Sequence, residues 1–303
     1  MRIRLLLVLV MALWGSAFAS SKLAVHEVPH AVAGFLRFLI GTIVLLIVLR
    51  APRLPVADAA RAAGLGLIGV FGYNFLFFLG LSLAPAADGS VIVPMAAPIF
   101  TVAVTTLFGR TRLSLIRMVG LTTAIAGAGV FFLGIPASGS HRLVGDIVFL
   151  AAAACWAGYT ILGAPLLSRL SAPTVTVYAT AAGTLVLGFV AAPDLADVPW
   201  SGLDLEFWLN QAYLGMLPTA LAYVLYYHAV GQVGAATASA AIFLVPAFGL
   251  SCAWVLLGES ISAVQGLGAA LMFVGAWLNT RTPGVEQADS THAGPDRLVA
   301  ADQ

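Results

Sequence analysis

The sequence predicts an all-α membrane protein whose ten transmembrane helices form a five-plus-five inverted repeat. Three observations lead there. The first is composition: 61% of the 303 residues are hydrophobic, 9% are charged, and the mean hydropathy is +1.01. A soluble domain typically carries about 25% charged residues, so this chain lacks the polar surface to cover a globule. The second is self-similarity. A shift of 148 residues carries Ala87, Pro98, Phe100, Ser114, Gly120 and Gly127 onto Ala235, Pro246, Phe248, Ser262, Gly268 and Gly275. It also carries Phe75 and Phe78 onto Tyr223 and Tyr226. A fixed offset through three apolar segments marks a duplicated membrane unit. The third observation is the distribution of arginine.

Taken in order, residues 1–20 have a basic start, an apolar middle and a small-x-small end at Ala17-Phe18-Ala19. Those are the marks of a cleavable signal peptide. Against this, Ala12 and Trp14 match Ala154 and Trp156 at a common offset of 142. Removing the segment leaves one half of the duplication a helix short, so it is retained as the first span. The ten spans are 5–24, 33–49, 63–83, 90–108, 118–135, 147–164, 175–192, 207–230, 235–257 and 263–279. Each is long enough for a hydrocarbon layer of ~30 Å. The runs are continuously apolar, without the alternation of barrel strands.

One side collects eleven arginines, at 2, 4, 50, 53, 61, 110, 112, 117, 169, 281 and 297, while the other holds only Lys22 and Arg142. That asymmetry places both termini in the cytoplasm of a cell inner (plasma) membrane protein. Five spans per repeat is an odd number, so the second copy enters from the opposite side. The expected units are 1–137, 138–281 and a polar, disordered cytoplasmic tail, 282–303.

The net charge of +1 argues against nucleic-acid or acidic partners. Cys155 and Cys252 lie in apolar runs without CxxC spacing, so neither a disulfide nor a metal is expected. No Ser/His/Asp or Cys/His set, zinc motif or phosphate loop appears, so no enzyme and no cofactor is expected. Gly66, Gly69, Gly72, Gly120, Gly127 and Gly129 lie inside spans, where close helix packing explains them.

Ala12-Leu-Trp-Gly-Ser-Ala-Phe18 in the first span, Arg37 in Leu36-Arg-Phe-Leu39, Val245-Pro-Ala-Phe248, Leu257-Gly-Glu259 and Gln265-Gly-Leu-Gly268 together carry a likeness. The chain resembles the ten-helix exporters of the drug/metabolite transporter superfamily, built from two EamA-type domains. Many relatives have Gly-Glu after the fourth span and a carboxylate before the proline of the ninth. This chain has Arg110-Thr111 and Val245 there. The resemblance implies export of small metabolites through a central cavity. The aromatic third and eighth spans are most similar to amino-acid exporters, implying neutral or aromatic amino acids as cargo.

The expected cavity lies between the repeats, lined by spans one, three, four, six, eight and nine. Tyr73 and Phe77 share a face one turn apart beside Asn74, and Tyr223 and Tyr227 repeat that spacing. Such polar tips at membrane depth need a wet cavity or an inter-helix bond, and both readings stand. Trp14 and Trp156, with Tyr159 nearby, lie too deep for an interfacial belt; a site at the repeat interface and core packing remain open. Pro94, Pro98, Pro218 and Pro246 free carbonyls that a substrate ammonium, or Ser90 and Ser239, can meet. The pairing of Pro98 with Pro246 suggests a shared hinge. Arg37 lies near the outer end of its span, as a snorkelling side chain, a carboxylate clamp or a gate latch. His228, near the inner end, is expected to cap or pack.

Asp88, Asp146 and Glu259 all fall at outer helix ends, so nothing in the spans supports proton coupling. The expectation is alternating access with uncoupled efflux by a monomer or homodimer in the lipid bilayer. Spans five and ten supply a scaffold or a dimer surface. The alternatives are proton-driven export of nucleobases or cationic compounds, and a small-solute channel.

Overall fold

The computed structural model describes residues 2–50, 52–109, 115–134, 140–233 and 241–280. Ser239, the basic residues 110–112, the expected repeat junction and the tail 282–303 lie outside them, as do the side chains of Tyr227 and Arg117. Every regular element among the described residues is helical. The rods are α1 (Arg2–Glu27), α2 (His30–Leu49), α3 (Val56–Leu83), α4 (Ala86–Gly109) and α5 (Leu115–Leu133). They continue with α6 (Ser140–Leu167), α7 (Ala172–Leu195), α8 (205–233), α9 (Val245–Leu257) and α10 (Ala263–Thr280). By length and composition, six of these helices can cross a membrane: α1 to α4, α6 and α7. Shorter apolar helices form at 118–133, 241–257 and 263–278. Below, the end of the bundle holding the start of α1 is the amino end, and the opposite one is the far end.

The ninth segment departs from expectation. A 3₁₀ turn over Ala241–Leu244 precedes α9, which begins only at Val245 with Pro246 in its first turn. Proline has no N–H to donate, and the first turn is where a missing donor costs least. Pro246 therefore starts a helix, whereas Pro94 and Pro98 lie inside α4. The two repeat-related prolines do different local work.

The repeat offset is visible in the backbone. α3 contains a π-helical stretch at Leu67–Gly72, and α8 contains one at Gly215–Leu221. A shift of 148 takes Leu67 to Gly215, so the wide turns fall on matched positions. Such turns leave carbonyls off the regular ladder, and side chains take them up. Asn74 Nδ2 donates to the Val70 carbonyl (2.8 Å), Thr219 Oγ1 to that of Leu214 (2.8 Å), and Trp14 Nε1 to that of Pro218 (3.1 Å).

Glycines decide how closely the rods approach. A Cβ on Gly275 would stand 2.4 Å from the Ala124 nitrogen and 2.5 Å from the Gly120 carbonyl oxygen. One on Gly268 would stand 2.4 Å from the Phe131 nitrogen and 2.7 Å from the Gly127 carbonyl oxygen. The glycine faces of α5 and α10 thus close on each other inside the chain. Of the two roles expected for them, these glycines serve the scaffold. Elsewhere Gly15 of α1 packs on Phe248 and Gly249 of α9, and Gly249 packs on Ser90 of α4.

Matched positions also meet at the centre. Thr42 and Thr184, 142 residues apart, share a hydrogen bond of 2.8 Å. Gly41 lies against the Gly215 carbonyl, while Gly183 lies against the Gly66 carbonyl. The main core joins Phe77, Phe78, Met95, Phe131 and Phe149 to α1 and α9. Outward, Ile47, Leu107, Leu133, Phe189 and Val255 are exposed, an apolar exterior suited to lipid.

The α5–α10 contact gives a sharp expectation. Gly268→Ala forces two backbones apart and should cost roughly 1–3 kcal/mol, as overpacking does. Gly129, on the same α5 helix, has nothing within 4 Å of an added Cβ. Gly129→Ala should be neutral or slightly stabilising. Thermal unfolding in detergent compares the two, and equal effects would show that the glycine faces do not set the contact.

Candidate functional site

Two aromatic walls form in the bundle, each built from both halves of the chain. In the first, Trp14 of α1 packs on Tyr226 and Tyr223 of α8, with ring centroids 5.1 and 5.9 Å apart. Its indole N–H is held by the Pro218 carbonyl of the wide turn. Next to it, Ser16 and the Tyr213 hydroxyl share a 2.6 Å hydrogen bond. In the second wall, Trp156 of α6 packs on Tyr73 of α3 at 5.2 Å and on Tyr159 at 5.8 Å. Gly69, in the wide turn of α3, makes room for it: a Cβ there would stand 2.2 Å from the Tyr159 ring. A residue with no side chain at the turn is what lets the Tyr159 ring lie on α3.

The other expected site residues divide. Tyr73 stacks on Phe77 (5.9 Å), but Phe77 is 2% exposed and belongs to the core with Phe18, Phe78 and Phe149. Asn74 is buried, with its amide committed to Val70. Ser90 is fully buried, donates to the Ala87 carbonyl and sits in the α1–α4–α9 contact. Pro94 is buried in α4, and His228 is exposed on the last turns of α8. Tyr226 was not singled out as a site residue, because positions i+3 and i+4 share a face and Tyr227 fits the spacing equally.

Arg37 does not snorkel. It is 8% exposed, and Nε donates to Thr219 Oγ1 (3.0 Å) while Nη1 donates to Ser21 Oγ (3.4 Å). The guanidinium carbon lies 5.4 Å from the centre of the Phe38 ring and 5.9 Å from those of Phe77 and Phe78. Nearness to the end of α2 fails to predict exposure here, because α1, α3 and α8 cover that stretch.

The far end is closed by a polar network that joins the halves. Asp88, fully buried at the start of α4, takes a two-point grip from Arg142 of α6 (2.6 and 2.8 Å). Gln265 Nε2 adds a bond to Asp88 at 3.2 Å, while its other groups close a capping box with Ser262 at the start of α10. Gly258, at φ +66°, turns the chain out of α9, and Glu259 N–H bonds back to the Ala253 carbonyl. That turn aims the Glu259 carboxylate at the Ala86 and Ala87 amides (3.1 and 2.8 Å), the positive end of α4. Lys22 of α1 donates to the Leu81 and Ala84 carbonyls at the end of α3. Asp146 is buried beside this group and accepts no hydrogen bond from a donor among the described residues. At the amino end the halves meet through Arg169 and Asp58 at 3.3 Å, with Arg169 54% exposed. A cavity of about 470 Å³ lies between Arg61, Leu65 and Ile68 of α3 and Leu162, Pro165 and Arg169 of α6. One end is locked by a network; the other is tied by one exposed ion pair beside a hollow.

The profile of the EamA-like transporters matches residues 1–133 and, a second time, residues 143–281. The chain belongs to the EamA-like transporter family. This EamA-like chain is 30% identical over 302 residues to a probable terminal-alkyne amino-acid exporter of Streptantibioticus cattleyicolor, covering 94% of this chain and 96% of that one. It is 28% identical over 282 residues to a probable amino-acid metabolite efflux pump of Salmonella typhimurium, covering 90% and 93%. The fold is shared with a solved crystal structure at a TM-score of 0.62 and 21% identity, covering 90% of this chain and 94% of that one. The two profile matches give the transporter two EamA domains.

The far-end network predicts an asymmetric response. Arg142→Ala strands a buried Asp88 carboxylate and should cost on the order of 3 kcal/mol. Arg169→Ala at the amino end should cost well under 1 kcal/mol, as exposed ion pairs do. Detergent unfolding midpoints read the difference. Equal losses would mean the far-end network does not hold the halves together.

Proposed function

We propose that this EamA-like protein is an amino-acid exporter of the inner membrane that works by alternating access. Ten spans form a five-plus-five inverted repeat, with 1–137 and 138–281 as its halves and both termini in the cytoplasm. In this reading the far end faces outward and is shut, and the cavity at the amino end faces the cytoplasm. The observation that carries the proposal is the crossed pairing of the walls, Trp14 with α8 and Trp156 with α3. A substrate held between them touches both halves, so a relative movement of the halves changes which side it sees. The neutral and aromatic character of the cargo rests on those rings and on the amino-acid names of two relatives. Trp14, Tyr73, Trp156, Tyr159, Tyr223 and Tyr226 are the proposed contacts.

Transport is proposed to be equilibrative, with Asp146 buried beside the far-end network and carrying no proton through the cycle. Counterflow in proteoliposomes with a panel of amino acids, nucleobases and cationic dyes tests cargo and coupling together. Saturable amino-acid exchange without a pH gradient is the expected result. Trp14→Ala and Trp156→Ala should each lower the flux about tenfold or more at near-normal abundance. Flux carried by nucleobases or dyes alone would overturn the cargo. Accumulation above equilibrium that needs a pH gradient and disappears in Asp146→Asn would overturn the equilibrative mechanism.

Orientation is checked separately. With Cys155 and Cys252 replaced by Ala, a cysteine at the exposed Ser201 should label from outside intact cells. One at the exposed Ala57 should label only after permeabilisation. Labelling of the Ala57 position in intact cells would invert the topology.

A further inference from the structure

Arg37 is a full positive charge buried in an apolar bundle, and none of the described residues gives it a counter-charge. Ion pairs among the described residues involve Asp58 and Asp88 only, at the two ends. Placing an arginine in this setting is costly even by insertion scales. Its bonds to Thr219 and Ser21 are to neutral hydroxyls and use two of the five N–H donors of a guanidinium. Phe38, Phe77 and Phe78 surround it with rings, which soften the cost without cancelling the charge.

The position is as telling as the charge. The Phe77 ring, centred 5.9 Å from the guanidinium carbon, stacks on Tyr73. Tyr73 stacks in the Trp156 wall, and Tyr223 packs on Trp14. Thr219, which holds Nε, adjoins Pro218, whose carbonyl holds the Trp14 indole. The guanidinium therefore hangs from the same wide turn that positions one wall, and the Phe77 ring links it to the Tyr73 of the other.

We propose that Arg37 is the anchor for the carboxylate of the transported metabolite, which restricts cargo to compounds bearing a carboxylate. The proposal rests on the amino-acid reading above and deepens it. A carboxylate supplies the missing charge and accepts the remaining donors in the planar, two-point geometry guanidinium favours. The faces of Trp14, Tyr73 and Trp156 are left for the ammonium and the side chain of the cargo, as aromatic faces suit both.

The test compares matched pairs that differ by the carboxylate alone: L-phenylalanine with phenethylamine, and L-leucine with 3-methylbutylamine. The readout is the half-saturating concentration for ligand-induced thermal stabilisation of detergent-purified protein. Wild-type protein should prefer each acid about tenfold or more, the value of a charge-assisted bond. Arg37→Gln should bring the pair to within about twofold by weakening the acid and leaving the amine unchanged. Arg37→Lys keeps a point charge without the fork, so it should retain a smaller preference, and it serves if the glutamine variant does not fold. A purely structural arginine would lower stability in both variants without moving the acid-to-amine ratio, and that result overturns the proposal. Wild-type protein that takes acid and amine equally overturns it too, while leaving export between the walls intact. If no acid stabilises the wild type and counterflow carries no amino acid, both readings fall.

Discussion

Inside hydrocarbon a backbone carbonyl without a donor has no water to turn to, and this constraint organises the centre of the molecule. Both wide turns release carbonyls from the helical ladder, and in each case a side chain closes the gap. On α3 the donor is Asn74 from the next turn of the same helix; on α8 it is Thr219 from within the turn and Trp14 from another helix. Trp14 is thereby fixed by a backbone irregularity of the opposite half. The same turn presents Thr219 to Arg37. Bend, wall and buried charge depend on one another.

Much of the architecture was legible because the bilayer limits what a chain this apolar can do. Run length located nearly every rod, and the 148-residue offset fell on the two wide turns, although nothing in the sequence announced them as π-helical. In the ninth segment Pro246 stands at a helix start, where a proline that breaks a longer helix would read the same way. Sequence cannot tell these apart when the residues ahead of the proline are themselves apolar. Arg37 is ambiguous in the sequence for a different reason. Its distance from a span end suggested snorkelling, yet exposure depends on which neighbours cover it, and those come from elsewhere in the chain.

The far-end network was invisible beforehand. Asp88 meets Arg142 across 54 residues and Gln265 across 177, and singly each resembles the charged end of a helix. Only Gly258-Glu259 carried a hint, since a glycine that turns the chain out of a helix fixes the aim of the residue behind it. The candidate contacts show the same limit. Trp14 and Trp156 pair by their offset, but an asparagine at position 74 fits a cavity wall and a bond to its own helix equally well, and it makes the latter.

The seam between α5 and α10 has a consequence for how the molecule can move. Each half contributes one of these helices, and their backbones touch directly at the glycines, with only the Cβ atoms of Ala124 and Leu271 close by. Such a seam acts as a strap: it tolerates rotation about its own line and resists separation. Displacement between the halves then vanishes along the strap and grows with distance from it. The segments able to travel farthest are those remote from α5 and α10, among them the amino-end portions of α3 and α6, which flank the cavity. Stiffening the strap and loosening it should therefore change the amplitude of opening there, at a place neither helix touches.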